Sequence, residues 1–117
     1  MLRAWRATVN SWNGLAFAIR SERAFREELA ALILALPLAW LIGATPARQL
    51  TLVAVVLLLL AVELLNTAIE KLADRLTTDH DPQIGHVKDL GSAAVGVTLL
   101  IAGLTWLFAI AERIGWV

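Results

Sequence analysis

Apolar residues along the chain gather into three long segments, at about 27–45, 49–71 and 88–112. A helix needs about 20 apolar residues to cross the hydrocarbon core of a bilayer, and the second and third segments supply them. The first segment is shorter, so we expect it to include the preceding turn with Phe25, while Arg26 extends its charge to the interface. Gly43, Thr45 and Pro46 predict a tight turn after it. The pattern therefore predicts three membrane-spanning helices.

The residues before the first segment, at about 4–20, have apolar side chains on one side of a helix only. At about 100° per residue, that side carries Trp5, Val9, Trp12, Ala16 and Ile19. Such an amphipathic helix is expected to lie on the membrane surface. We expect Ser21 to cap the next helix, with Glu22 in its first turn. The predicted fold class is thus an all-α integral membrane protein, with a single domain over 1–117.

The composition supports a membrane environment. Hydrophobic residues make up 59% of the 117 residues and the mean hydropathy is +0.72, whereas soluble domains have roughly 45–50%. A chain of this length buries only about 60–70% of its unfolded surface, so this much apolar surface needs lipid around it. The absence of cysteine excludes disulfides, cysteine-ligated metal sites and thiol chemistry. The formal net charge of zero gives no indication of nucleic-acid binding.

The basic residues indicate how the chain is oriented in the membrane. Most of them precede the first segment or lie between the second and third: Arg3, Arg6, Arg20, Arg23, Arg26, Lys71, Arg75 and Lys88. Only Arg48 and Arg113 fall on the other side. Since basic residues are enriched on the cytoplasmic side, we predict that the N-terminus and the loop at 72–88 are cytoplasmic.

The second segment ends in polar residues that share one side of the helix. Glu63, Asn66, Glu70 and Asp74 form a stripe along about two to three turns. A carboxylate in hydrocarbon is unfavourable by several kcal/mol unless it is paired, hydrated or bound to a metal. We therefore expect the stripe to face a protein interior or a water-filled cleft at the cytoplasmic boundary. Asp74 by itself also fits a solvated helix end.

A second polar group opens the third segment, where Lys88 and Asp89 precede the small residues of GSAA. Small residues allow another helix to approach closely, and a lysine can contact a phosphate. Carboxylate oxygens can hold Mg²⁺, which bridges the phosphates of a nucleotide. Glu63 is the deepest carboxylate in the membrane, so it is the candidate base for a lipid hydroxyl. The chain lacks G-x-x-x-x-G-K-[ST], H-R-D and D-F-G, so phosphoryl transfer would need a different architecture.

The segments VELLNTAIEKLADR and KDLGSAAV, about a dozen residues apart, resemble the prokaryotic membrane-integral diacylglycerol kinases. The upstream SWNGLAFAIRSERAFREE is similar to the N-terminal region of that family, and the likeness covers about 11–106. The resemblance implies a homotrimer in the bacterial inner membrane that uses ATP and Mg²⁺ to phosphorylate diacylglycerol to phosphatidic acid. It also implies three active sites, each shared between neighbouring subunits.

The resemblance implies a role for each residue that matches the family pattern. Glu63 matches the general base, Asn66 lies at the catalytic centre, and Glu22 and Glu70 match the metal-binding glutamates. Nucleotide contacts are implied at Arg3, Asn10, Glu22, Glu70, Asp79, Asp81, Lys88 and Asp89. Lipid contacts are implied at Trp12, Arg26, Glu28, Glu63, Ser92 and Trp106. Asn10 departs from the tyrosine of the enterobacterial pattern, and Asp79-His80-Asp81 departs from its Glu-x-His.

Two alternatives remain open at this point. An undecaprenol kinase would share the fold and the mechanism and differ in its lipid substrate. A small proton-coupled multidrug transporter would use an intramembrane glutamate to carry a proton, although such transporters typically have four spans. Their essential acid also lies near the middle of the bilayer, whereas Glu63 and Asp89 lie at one boundary.

Overall fold

The computed structural model describes all 117 residues, which form four α-helices and no strand. The helices are α1 (Leu2–Ser21), α2 (Arg23–Ile42), α3 (Pro46–Leu76) and α4 (Pro82–Arg113). The prediction of an all-α fold is therefore confirmed. At about 1.5 Å per residue, α3 and α4 are each roughly 46–48 Å long, which exceeds the hydrocarbon core of about 30 Å. Their polar ends continue as helix beyond the apolar segments.

The boundaries of the long helices follow from local chemistry. Proline occupies the first position of both α3 and α4, where its missing N–H leaves no broken hydrogen bond. Thr45 Oγ1 accepts a hydrogen bond from the backbone N–H of Arg48 at 3.1 Å, and the Asp81 carboxylate accepts one from that of Gln83 at 2.9 Å. α2 ends before the predicted limit of its segment because Gly43 is extended. The predicted turn between α2 and α3 is confirmed.

The junction of α1 and α2 differs from the prediction. Ser21 is the last residue of α1, and its hydroxyl donates to the Phe17 carbonyl at 2.7 Å, so the expectation that it caps α2 is wrong. Glu22 takes the N-cap position with an extended backbone, and its N–H donates to the Ala18 carbonyl at 2.9 Å. Because Glu22 lies between two helices, its side chain is not part of a helical first turn and can reach α3.

α3 lies at the centre of the bundle and packs against both α2 and α4, whereas α1 contacts mainly α2. Three small clusters of buried side chains hold the helices together: Ala18, Phe25 and Leu60; Ala35, Val55 and Val56; Ala39, Leu52 and Ala109. The alanines let the helices approach closely. Trp106 of α4 packs beside them, and its Nε1 donates to the Leu52 carbonyl at 3.2 Å.

Most of the apolar surface is not covered by protein. Only 15 of the 117 residues are buried, although 59% are hydrophobic. On α1, Trp5 and Trp12 are 67% and 71% exposed. α3 and α4 are long and apolar enough to cross a membrane. α2 carries more charge over a stretch of the same length, since Arg26, Glu27 and Glu28 occupy its early turns. These features indicate a membrane protein with two clear candidate spans.

Polar contacts hold the end of the bundle where α2 turns into α3, which we call the turn end. Arg48 pairs with Glu112 at 3.0 Å and so links α3 to α4. The Arg48 guanidinium also lies 4.9 Å from the centroid of the Phe108 ring. Gln49 Nε2 donates to the Gly43 carbonyl at 3.2 Å. The turn end is therefore fastened by side chains of α3 and α4 and by a bond to the backbone of the link.

Candidate active site

At the end opposite the turn end, Glu63, Asn66 and Glu70 of the polar stripe predicted on α3 face into the bundle. Asn66 is 7% exposed, and its Nδ2 donates to Glu70 Oε1 one turn further along, at 3.1 Å. Glu63 and Glu70 are partly buried, whereas Asp74 is exposed. Asn66 therefore orients the carboxylate of Glu70 within the bundle. We call this end of the molecule the carboxylate end.

Four acidic side chains converge there, and we call them the carboxylate cluster: Glu22, Glu28, Glu63 and Glu70. The carboxyl groups of Glu28 on α2 and Glu63 on α3 lie next to each other. Glu63 also lies within electrostatic range of Glu22 and Glu70. Glu28 Oε2 is buried and has no hydrogen-bond partner. Because carboxylates of like charge repel one another, a cation among these side chains would offset that repulsion.

One ammonium group lies beside the carboxylate cluster. Lys71 Nζ is 3.3 Å from Glu22 Oε1 and 5.9 Å from the centroid of the Phe17 ring. The Glu22 side chain is 23% exposed and that of Lys71 is 55% exposed. Lys71 was not among the site residues predicted from the sequence. No local signal marks it, because its partner lies in a distant part of the chain and only the fold brings the two together.

Lys88, at the start of α4, has a partner of its own. Its Nζ lies 2.5 Å from Asp74 Oδ1, and both side chains are substantially exposed, at 40% and 53%. An exposed ion pair of this kind contributes little, about 0–1 kcal/mol, so Lys88 can exchange Asp74 for another anion. Asp89, the next residue, is exposed and makes no side-chain hydrogen bond or ion pair within the chain.

Gly91 brings α4 directly against the side chain of Asn66. A Cβ atom at position 91 would overlap Oδ1 of Asn66 and would lie 3.8 Å from Cδ1 of Ile69. That Oδ1 is buried and has no hydrogen-bond partner. Only glycine admits so close an approach, so the close helix contact predicted from GSAA is confirmed at its first residue.

Three other residues predicted for the site have structural contacts elsewhere. Arg26 Nη1 donates to the Ile19 carbonyl at 2.9 Å and so caps the end of α1. The Asp81 carboxylate caps the start of α4. Trp106 lies roughly 26 Å along α4 from Asp89, at about 1.5 Å per residue, and packs in the core. The structure therefore does not bring Trp106 to the carboxylate cluster.

The remaining predicted residues are exposed and make no side-chain hydrogen bond or ion pair within the chain: Arg3, Asn10, Trp12, Asp79 and Ser92. They lie on α1, on the link between α3 and α4, and on the outer side of α4. Trp12 borders a groove of about 320 Å³ between α1 and the start of α2. These side chains are available to a ligand or to a second copy of the chain.

The donor atoms at the carboxylate end fit a hard divalent cation. Mg²⁺ prefers oxygen ligands and usually takes one or two carboxylates, with waters and phosphates completing its shell. Glu22 and Glu70, the predicted ligands, each have one oxygen engaged, by Lys71 and Asn66 respectively. No group of three or more His, Asp or Glu is arranged to hold a metal by itself. The side chains of a single chain therefore do not form a complete metal site.

A groove of about 720 Å³ lies between α1 and α3, next to the carboxylate cluster. Its lining includes Ser11, Phe17, Thr67 and Lys71. A larger groove, of about 870 Å³, lies at the turn end beside Arg48. We assign the candidate active site to the carboxylate end, because the groups that can bind a cation or move a proton converge there.

Comparison with known proteins gives a consistent result over nearly the whole chain. The family model described as prokaryotic diacylglycerol kinase matches residues 9–110. The chain is 35% identical to the diacylglycerol kinase of Escherichia coli (strain K12) over 113 residues, which cover 97% of this chain and 93% of that protein. It is 38% identical to that of Haemophilus influenzae, over 86% of this chain and 85% of the relative. It is also 38% identical to that of Pseudomonas aeruginosa, over 89% and 85%.

Proposed function

We propose that this chain, which belongs to the prokaryotic diacylglycerol kinase family, is a membrane lipid kinase that transfers the γ-phosphoryl group of ATP to diacylglycerol. The product would be phosphatidic acid. The observation that carries the proposal is the convergence of the four carboxylates of the cluster beside the buried Asn66 at one end of α3. Acidic groups at a membrane boundary suit phosphoryl transfer, in which positioning and charge stabilisation supply most of the catalysis.

Glu22 and Glu70 would hold Mg²⁺, which when bound bridges the nucleotide phosphates and offsets the charge that develops on them. The hydrogen bond from Asn66 fixes one oxygen of Glu70 and leaves the other for the metal. Lys88 would release Asp74 and bind a phosphate oxygen, because its present ion pair is short but exposed. The orientation of Glu70 by Asn66 and the phosphate contact of Lys88 both depend on the packing of α4 against α3.

Glu63 would accept the proton of the lipid hydroxyl. It lies seven residues before Glu70 in the sequence, which places it about 10 Å nearer the apolar part of α3. The hydroxyl oxygen would bond to the γ-phosphorus while the bond from that phosphorus to the β–γ bridging oxygen breaks, and ADP would leave with the electron pair. Glu28, whose Oε2 is buried and unpaired, would contact the lipid headgroup beside Glu63.

The other predicted residues would contact the two substrates. Nucleotide contacts are assigned to Arg3, Asn10, Asp79, Asp81 and Asp89, all of which are exposed. Lipid contacts are assigned to Trp12, Arg26, Ser92 and Trp106. Trp106 is partly buried and lies far along α4, a position that suits contact with an acyl chain, whereas the headgroup would remain at the carboxylate cluster.

We further propose a single domain over 1–117 with three spans, at about 27–45, 49–71 and 88–112, and a surface helix at about 4–20. The large uncovered apolar surface supports this arrangement and a homotrimer in which neighbouring subunits share each site. α2 has an apolar stretch over 29–42, about 21 Å long, which its charged first turns would extend to the interface. The bacterial relatives support a bacterial inner membrane, and the distribution of basic residues supports an N-terminus in the cytoplasm.

The test is phosphate transfer from radiolabelled ATP by purified protein in mixed micelles with Mg²⁺, offering diacylglycerol and undecaprenol in parallel. Label in phosphatidic acid is the expected result. Label in undecaprenyl phosphate alone would keep the mechanism and change the substrate. The absence of label in both lipids, from protein shown to be trimeric and folded, would refute the kinase assignment. Membership of a kinase family decides against the proton-coupled transporter, and nucleotide dependence in this assay provides the direct check.

A further inference from the structure

Lys71 is bound to a carboxylate that the proposed function assigns to the metal. Its Nζ lies 3.3 Å from Glu22 Oε1, while the same ammonium lies 5.9 Å from the Phe17 ring centroid on α1. Glu22 belongs to the break between α1 and α2, and Lys71 directly follows Glu70 on α3. The ion pair thus joins the surface helix and its junction to the helix that carries the rest of the cluster.

This ion pair and a bound divalent cation compete for the same carboxylate. An ammonium and Mg²⁺ that share Glu22 would lie within a few ångströms of each other and repel strongly in this partly buried place. Lys71 is 55% exposed, and its flexible four-carbon stem allows the ammonium to move. Lys71 lines the groove between α1 and α3, which gives its side chain room to move away from Glu22.

We propose that Lys71 is a positioning residue that keeps Glu22 closed to free divalent cations until a nucleotide arrives. The inference rests on the proposed function, since it takes Glu22 as a metal ligand. Without nucleotide, the ammonium of Lys71 occupies the carboxylate of Glu22. The triphosphate of an incoming nucleotide attracts that ammonium away, and the metal that accompanies the nucleotide then takes the carboxylate. Lys71 therefore makes metal binding depend on nucleotide binding.

This arrangement has a thermodynamic signature. Removal of the ammonium strengthens the binding of free metal, because a competing cation is gone. It also reduces the factor by which metal and nucleotide each raise the affinity for the other, because Lys71 no longer moves from Glu22 to the nucleotide. Linkage requires that nucleotide raise metal affinity by the same factor by which metal raises nucleotide affinity, so both factors fall together.

The experiment is a titration of the trimeric protein in detergent micelles with Mn²⁺ as a probe for Mg²⁺, following the electron paramagnetic resonance of free Mn²⁺. It is run without nucleotide and with the β,γ-methylene analogue of ATP, which cannot transfer its phosphoryl group. Lys71→Met removes the charge and keeps the length, and Lys71→Arg is the matched control that keeps the charge. Lys71→Gln serves as a second neutral variant should the methionine disturb folding.

Without nucleotide, we expect Lys71→Met to bind Mn²⁺ about tenfold more tightly than the unchanged protein, and Lys71→Arg to bind it about as weakly as the unchanged protein. The factor by which the ATP analogue raises Mn²⁺ affinity should fall about tenfold in Lys71→Met. Adding Glu22→Gln to Lys71→Met should remove the gain, because the effect acts through that carboxylate. If the Lys71–Glu22 ion pair were only structural, Lys71→Met and Lys71→Gln would bind Mn²⁺ without nucleotide as weakly as the unchanged protein, or more weakly. Either result would overturn the proposal.

The same preparations are assayed for lipid phosphorylation, so the two proposals fail separately. Transfer to lipid together with unchanged Mn²⁺ affinity in Lys71→Met overturns the role of Lys71 and leaves the kinase assignment intact. Tighter Mn²⁺ binding in Lys71→Met, with no transfer to either lipid by the unchanged protein, refutes the kinase assignment and retains Lys71 as a competitor for the metal.

Discussion

Replacing Gly91 by alanine tests the contact that brings α4 against Asn66. A Cβ atom at this position overlaps the buried Oδ1 of Asn66, so the Asn66 side chain must turn or the two helices must separate. Overpacking of this kind destabilises by about 1–3 kcal/mol. Alanine also favours a helix over glycine by about 0.5–1 kcal/mol, which offsets part of the loss. The turn of Asn66 would break its 3.1 Å hydrogen bond to Glu70 as well.

Gly85 provides the matched control on the same helix. It lies in the first turns of α4, outside the predicted span, and a Cβ atom added there meets nothing within 4 Å. Gly85→Ala receives the helical gain without the clash, so the difference between the two variants isolates the steric effect, about 1–3 kcal/mol. Unfolding of purified protein in mixed micelles, followed by circular dichroism, measures this difference, and the lipid kinase assay measures whether Gly91→Ala also loses turnover. Equal stability changes in the two variants would show that α4 does not press on Asn66.

Three further predictions concern the chemistry and the turn end. Glu63→Gln should lower turnover by about 10²–10⁴-fold, the range for loss of a general base, and should leave the unfolding transition and the trimer unchanged. Near-normal turnover would exclude Glu63 as the base. Chelation of divalent cations should abolish transfer and added Mg²⁺ should restore it; activity that persists in chelator would contradict the metal site. Arg48→Met should destabilise by about 1–2 kcal/mol because it leaves Glu112 partly buried and unpaired, and Glu112→Gln in the same chain should recover part of this. Loss of kinase turnover in folded Arg48→Met would contradict the assignment of the site to the opposite end.

The all-α fold followed from the sequence because it depends on patterns within single segments. Long apolar runs predicted α3 and α4, and Pro46 marked the turn before α3. The bounds of the helices extend beyond the predicted spans at their polar ends, because a helix does not stop where hydrocarbon does. Ser21 was misassigned since serine is favourable at a helix cap, yet its hydroxyl bonds back to the Phe17 carbonyl and Glu22 takes the break instead.

In the candidate site, too, the sequence predicted what depends on a single segment and missed what depends on packing between segments. Glu63, Asn66 and Glu70 share a face by helical spacing alone, so periodicity was enough to group them. Lys71 shows the limit of this reasoning: nothing in EKLADR distinguishes it from an anchoring lysine at a membrane boundary. Its partner, Glu22, comes close only because the break between α1 and α2 lies against α3 in the folded chain. The orientation of Asn66 against α4 likewise depends on how closely two helices pack, which no single segment encodes.

The two ends of the bundle are fastened with unequal strength. At the turn end, Arg48 and Glu112 keep side chains only 29% and 30% exposed. At the carboxylate end, Lys88 pairs with an exposed partner, and α1 is attached mainly by its junction with α2. Partial opening of a protein begins where few buried contacts hold it, so backbone amides of α1 and of the first turns of α4 should exchange with solvent fastest. Nucleotide and metal would bind across these loosely held parts. Their binding should therefore slow amide exchange there even where the global unfolding transition is unchanged.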